Sequence, residues 1–324
     1  MRNEQHLTEK QINNRRNIDP QIDKLFRTTN HNGASTRHTY ECNVRQFYYY
    51  VSDNYGIQSI ANVKAKHLVD YVEYMQGHDL APATIISRIS AIRFAHNLSG
   101  SKNMLLDNSK LSLDKRTNGT VNRGWIYPTD IEGCKAEATK QGKFYICDFV
   151  DIGVNFGLRI SEGCSLRLED IKKAIFTGEL HIRSGKGGRP RYIPIDLEGQ
   201  RKVLVDLVAK CEKKGMQPGE FVISESRKYG PAETEKRLEH WLRNHRHKFT
   251  TPDRDKIVKK GYKPYTKELT WHGLRYTYAQ WCYNYYKAQG FDAEAKVSRN
   301  LGHNRRSTTR MYLAMNLPRK RKCK

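Results

Sequence analysis

Apolar positions recur at helical spacing along most of this chain. Between residues 33 and 115 three such stripes follow one another. The first starts near Ser35 and Thr36, carries Tyr40, Val44, Phe47, Tyr48 and Val51, and ends at Asn54 and Gly56. Its steps of four, three, one and three residues trace one helix face. The second carries Leu68, Tyr71, Val72 and Met75 and stops at Gly77. The third has Pro82 in its first turn, carries Ile85, Ile89 and Ile92, and stops before Gly100. Arg88 and Arg93 occupy its other face. Tyr48, Tyr49 and Tyr50 are consecutive, so a helix points them in three directions. Core packing is therefore favoured over a stacking platform for bases. Ahead of the stripes, residues 1–32 are polar and weakly periodic, and read as a loose tail or one short helix over 21–26.

Residues 112–128 are polar, contain glycine and lack periodicity, which is linker composition. The domain boundary is placed there, with the linker proper at 116–128. Beyond it, residues 129–138 read as a short helix and 144–156 as a strongly apolar, buried helix that ends at Gly157. Residues 180–183 and 191–195 are β-type runs around Gly185-Lys-Gly-Gly188, a hairpin signal. Residues 197–213, 233–248, 271–286 and 294–300 read as helices, and 250–268 as a loop. The expected fold is mainly α with two domains: a helical bundle at 33–115 and a mixed α+β domain at 129–324 with one small sheet.

Charge narrows the class of partner. Lys and Arg number 58 against 34 acids, a formal net charge of +24 in 324 residues, spread along the chain. A globular chain this basic points to a polyanion. No run of about 18 apolar residues suits a membrane span. The polar N-terminus lacks a signal peptide's apolar core. The seven cysteines are widely spaced with no C-x-x-C pair, so reduced, space-filling thiols in the cytoplasm are expected rather than zinc or disulfides.

The chemistry concentrates late in the chain. Thr270-Trp-His-Gly-Leu-Arg275 sets His272 and Arg275 on one helix face. Further on, Gly302-His303 precedes Tyr312 by nine residues, with Arg305, Arg306, Thr309 and Arg310 between. Two imidazoles, a guanidinium and a phenol in a basic setting suit a phosphodiester. Upstream lie Gly157-Leu-Arg-Ile-Ser-Glu162 and Ser184-Gly-Lys-Gly-Gly-Arg-Pro-Arg-Tyr-Ile-Pro194. With those segments in that order, the chain resembles the tyrosine recombinases of the phage-integrase family over roughly residues 125–317.

The resemblance implies a core-binding domain in the helical bundle and a catalytic domain after the linker. It implies strand cleavage and rejoining through a 3′-phosphotyrosyl intermediate, with Tyr312 as nucleophile and neither metal nor cofactor. A tyrosine phenol is only about 0.1% ionised at pH 7, so it needs a base or a strongly positive site. Arg159 and Arg275 would clamp the phosphorane, Lys186 would protonate the leaving 5′-oxygen, His272 would assist proton transfer at Tyr312, and His303 would bond a phosphate oxygen. Glu162 and Asp170 would support the Arg159 turn. Arg88, Arg93, Arg189, Arg191, Arg243 and Arg246 are expected to contact DNA. For His240, His245 and His247, a phosphate-facing helix is favoured over a metal site. The expected partners are double-stranded DNA bearing an inverted repeat and three further copies of the chain, in a nucleoid-associated setting; no accessory protein is inferred. Two features depart from the family pattern. Only twelve residues follow Tyr312, among which residues 314–317 would form at most a short docking element, and Gly163 stands where a larger apolar residue is common. A type IB topoisomerase and a DNA-binding accessory factor with an unused site are the alternatives.

Overall fold

Two separate apolar cores organise the chain, one in residues 1–117 and the other in 118–324. The structure, a computed structural model, describes residues 7–28, 33–114, 121–257 and 263–313, apart from the side chains of residues 34, 35 and 186.

The described residues of the first unit hold four α-helices, α1 (Glu9–Thr28), α2 (Ala34–Tyr55), α3 (Ala65–Gly77) and α4 (Pro82–Leu98), with two short 3-10 turns. The three stripes read from the sequence are α2, α3 and α4, and their apolar faces meet in one core. Gly56 ends α2 in the left-handed region at φ 67°, where a Cβ would be strained. The expected polar tail differs. Most of it is α1, a helix of 20 residues that buries Ile18, Ile22 and Phe26, one face at four-residue steps. Arg45 on α2 holds it by ion pairs to Asp19 and Asp23. Tyr48 is buried, while the Tyr49 hydroxyl donates to Asp19 and that of Tyr50 to the Asp70 carbonyl.

The second unit contains α5 (Thr129–Lys140), α6 (Phe144–Phe156), α7 (Ile160–Cys164), α8 (Leu168–Thr177), β1 (Glu179–Ile182), β2 (Arg191–Pro194), α9 (Gln200–Lys213), α10 (Pro231–His245), α11 (Trp271–Ala288), α12 (Ala293–Leu301) and α13 (Arg306–Leu313). Helix α6 is buried nearly all round and packs on α5, α9 and α11. The two strands form an antiparallel hairpin with Leu180 opposite Ile193 and Ile182 opposite Arg191. Strand alternation sends Leu180, Ile182 and Ile193 into the core and leaves His181 stacked on Tyr192 outside. The turn Lys186–Gly188 closes with positive φ at Gly187 and Gly188. Helices α8 and α13 fall where no element was assigned from the sequence.

The expected linker also differs. From Asn122 onward the backbone is part of the second unit: Asn122 bridges Tyr265, and Trp125 is buried, stacked on Trp271 at 5.6 Å, its indole N–H donating to the Thr270 carbonyl. One large aromatic side chain with a satisfied N–H outweighs the polar composition around it. In the loop that follows α10, Arg254 is buried and paired with buried Asp130 at 2.8 Å. Five of the cysteines are buried free thiols. No helix among the described residues is long and apolar enough to cross a membrane. Residues 314–324, including the expected docking element, lie outside the described residues.

Candidate active site

The site is assembled from ends of helices. Gly157 closes α6 in the left-handed region at φ 59°, and a Cβ there would come within 2.2 Å of the Tyr278 ring. Only glycine fits, and its carbonyl then faces Arg275. Two residues on, Arg159 caps α7. Glu162, one turn into that helix, accepts from the Arg159 backbone N–H at 2.8 Å and from its guanidinium at 2.6 Å. One carboxylate thus satisfies the helix start and orients the arginine.

Helix α11 supplies His272 and Arg275 from its first turns. Arg275 is fully buried and donates to the carbonyls of Gly157 and Leu301, binding the end of α6 to the end of α12. It also lies 3.4 Å from His303 Nε2 and 4.0 Å from Glu162. Burial, then Arg159 and Arg191, lowers its pKa to about 10. Glu162 ionises against the cost of burial because Arg191 and Arg159 hold its carboxylate, and its pKa falls to about 2.

Tyr312 sits on α13 with its hydroxyl 2.8 Å from His272 Nε2. Its ring packs 4.5 Å from Tyr276 and 4.7 Å from His303. Two ion pairs, Arg310 to Glu294 and Arg306 to Asp292, fasten α13 to α12 and its cap. Burial and then Arg275, Arg123 and Arg159 push His272 down to about 4; burial, Arg275, Arg159 and Arg191 push His303 down to about 3. Both imidazoles are neutral at pH 7. A neutral His272 carrying its proton on Nδ1 offers Nε2 to the phenol as a base. His303 is constrained differently. Arg275 can only donate, so His303 Nε2 accepts and Nδ1–H donates to Thr309 Oγ1 at 3.0 Å.

An open groove of about 910 Å³ has Arg159, Arg189, Arg191, His272, His303 and Tyr312 in its wall, with Arg275 buried behind it against His303. Gly185 and Gly187, on either side of Lys186, line it as well. The structure therefore brings together five of the six expected catalytic side chains and sets the turn bearing the sixth at the rim. The expected DNA contacts are scattered. Arg189 is exposed in the groove and Arg243 is exposed on α10. Arg246 pairs with Glu268 at 2.5 Å, and Arg191 is committed to Glu162. In the first unit, half-buried Arg88 and Arg93 bond the Tyr71 hydroxyl and the Asn108 side chain. His240 bonds Asn244 and His245 the Trp241 carbonyl. Among the described residues, no three His, Cys, Asp or Glu side chains are grouped to hold a metal ion. Two arginines near the site have no counterpart in the sequence expectations: Arg299, which lines the groove, and Arg123, whose charge reaches His272 from the segment of linker composition. Gly163 approaches Phe149 so closely that a Cβ would lie 2.9 Å from its ring, which explains the small residue.

Comparison with known proteins gives the family and the fold. The profile of the phage integrase family matches residues 130–318. Tyrosine recombinase XerA of Pyrococcus horikoshii is 29% identical over 156 residues, 48% of this chain and 45% of that protein. The chain thus spans less than half the length of this relative in alignment. Among solved structures, a lambda integrase tetramer bound to a Holliday junction superposes with a TM-score of 0.64 at 13% identity, covering 97% of this chain and 84% of that one. The Tn1549 transposon integrase in complex with transposon right end DNA gives 0.58 at 14% identity, covering 92% and 95%. The fold is that of the integrases, and the chain belongs to the phage integrase family, the tyrosine recombinases.

Proposed function

We propose that this chain is a site-specific DNA recombinase or integrase that cuts and rejoins strands through a 3′-phosphotyrosyl intermediate. The observation that carries the reading is the Tyr312 hydroxyl 2.8 Å from a neutral His272, in a groove walled by arginines. The Tyr312 oxygen attacks phosphorus and its proton passes to His272 Nε2. Arg159 and Arg275 stabilise the added charge on the non-bridging oxygens. The bond to the 5′-oxygen breaks, and that oxygen takes a proton from Lys186. A 3′-phosphotyrosine and a free 5′-hydroxyl result, and attack by a 5′-hydroxyl of a second duplex reverses the step. The bond energy stays in the covalent link, so neither metal nor nucleotide is consumed. His303 bonds a phosphate oxygen as the neutral tautomer with its proton on Nε2, Nδ1 then accepting from the Thr309 hydroxyl.

The substrate is duplex DNA carrying an inverted repeat, held by four copies of the chain through a four-way junction. The lambda integrase tetramer on a Holliday junction supports the assembly, and the DNA-bound transposon integrase supports the substrate class. The test is a covalent trap on sheared, nicked genomic DNA. The sample is denatured in SDS, and the ends of protein-linked fragments are sequenced for wild type and Tyr312→Phe. The reading expects adducts that vanish in the variant and converge on one inverted repeat. Tyr312-dependent adducts scattered along the DNA would mean a topoisomerase, and none at all with binding intact would mean an accessory factor.

A further inference from the structure

Arg191 was expected to touch DNA, yet although it borders the groove, three of its five N–H donors, one on each nitrogen, are used inside the fold. Its two terminal nitrogens bond the two Glu162 oxygens, each at 2.8 Å, and its Nε–H donates to the Asn300 carbonyl at 2.9 Å. Its side chain is only 9% exposed. A planar guanidinium bonded along two edges permits little rotation. Arg191 belongs to β2, Glu162 to α7 and Asn300 to α12, so one side chain fixes three elements that each carry part of the site.

The hairpin turn rests on that junction. A Cβ at Gly185 would lie 3.2 Å from an Arg191 terminal nitrogen and 3.6 Å from Glu162 Oε1, and 2.7 Å from the Arg189 carbonyl. Gly185 N–H also donates to that carbonyl at 2.9 Å, closing the turn. On the other side, a Cβ at Gly302 would lie 2.9 Å from Arg191 Cδ, so the backbone just before His303 packs on the same side chain. Glu162 meanwhile holds Arg159. The residue before Lys186, the residue before His303 and the partner of Arg159 therefore all bear on Arg191.

We propose that Arg191 is a positioning residue that sets the Lys186 turn against the Arg159 arm, and is not a DNA contact. The proposal rests on the reading of Lys186 as the proton donor to the leaving oxygen. A displacement of about 1 Å at a reacting group costs about 10²-fold in rate, so loss of the junction slows cleavage while leaving affinity intact.

The test compares Arg191→Gln, Arg191→Lys and Lys186→Ala on a nicked duplex bearing the site recovered in the covalent trap. Arg191→Lys keeps a charge beside Glu162 and guards against a folding failure, but has no fork to span two carboxylate oxygens and a carbonyl. Single-turnover cleavage is measured on the ordinary strand and on one with sulfur at the bridging 5′ position. A thiol ionises near pH 8.5, far below an alcohol, so a thiolate leaves without a proton. The proposal expects both Arg191 variants to cut the ordinary strand about 10²-fold more slowly and the sulfur strand near the wild-type rate, as Lys186→Ala does, with unchanged affinity and salt dependence. Weaker binding of Arg191→Gln, with a salt slope reduced by about one, would make Arg191 a phosphate contact and overturn the proposal. So would equal slowing of both strands when Lys186→Ala is rescued by sulfur. If sulfur fails to rescue Lys186→Ala, the donor assignment itself is wrong, and the Arg191 proposal falls with it.

Discussion

A histidine held against a tyrosine hydroxyl acts as base or acid according to its charge, and burial among arginines decides that here. With His272 lowered to about 4 and His303 to about 3, neither titrates in the range where an ordinary histidine does. The groups facing them are Arg275, Arg159, Arg123, Arg191, Glu162 and Tyr312. The cleavage rate should therefore show no acid limb from a histidine between pH 7.5 and 5.5, read by single-turnover assay; a histidine of pKa about 6.5 would cost about tenfold by pH 5.5. Stability responds in the same direction as protonation demands. Below about pH 6.5 the unfolded chain protonates these histidines and the folded chain does not, so stability falls as pH drops toward 4. Glu162, lowered to about 2, adds a second loss that begins near pH 4.5. Urea midpoints at pH 7, 6 and 5 should decline already between 7 and 5. His272 and Arg275 were legible because their helical spacing can be counted along the chain. The partnership of Arg191 with Glu162 was not, because 29 residues separate them and a lone arginine in a basic chain reads as a phosphate contact.

The same limit operates at the scale of elements. Helices whose stripes are broad, such as α2, α3, α4 and α6, were read with nearly their observed bounds. Helix α1 reads in the sequence as at most a short helix over 21–26, because its stripe is only Ile18, Ile22 and Phe26, interrupted by Pro20, and its fit depends on Arg45 of α2. Segment 121–125 reads as linker in the sequence because its packing depends on partners more than a hundred residues away, at Thr270, Thr277 and Tyr265. That packing has a sharp consequence. A Cβ at Gly273 would meet the Arg123 carbonyl at 2.3 Å and the Trp125 indole at 2.7 Å, atoms of backbone and a buried ring. Gly273→Ala should destabilise the second unit by about 1–3 kcal/mol or more and displace the segment next to His272. Chemical denaturation measures the first effect and cleavage the second. A silent substitution would mean that this segment is the mobile tether its composition suggested.

For the whole molecule, two cores and a charge of +24 govern behaviour. The two-part organisation was visible as two groups of apolar stripes separated by a polar stretch, and the second core already includes Trp125. Binding to DNA should be steep in salt. With six to ten phosphate contacts, affinity falls about 10³–10⁵-fold between 50 and 200 mM salt. Titration of a labelled duplex at several salt concentrations measures this, and a flat response would contradict a large phosphate interface. The proposed chemistry requires more than binding: Tyr312, and no other phenol, must carry the strand, although the Tyr276 ring lies only 4.5 Å away. Peptide mass spectrometry of the SDS-trapped adduct, after nuclease and protease digestion, tests it directly. The expected product is a nucleotide joined through its 3′-phosphate to Tyr312, with a free 5′-hydroxyl on the released strand. A nucleotide on Tyr276 or on any other residue, or a 5′-phosphate linkage, would contradict it.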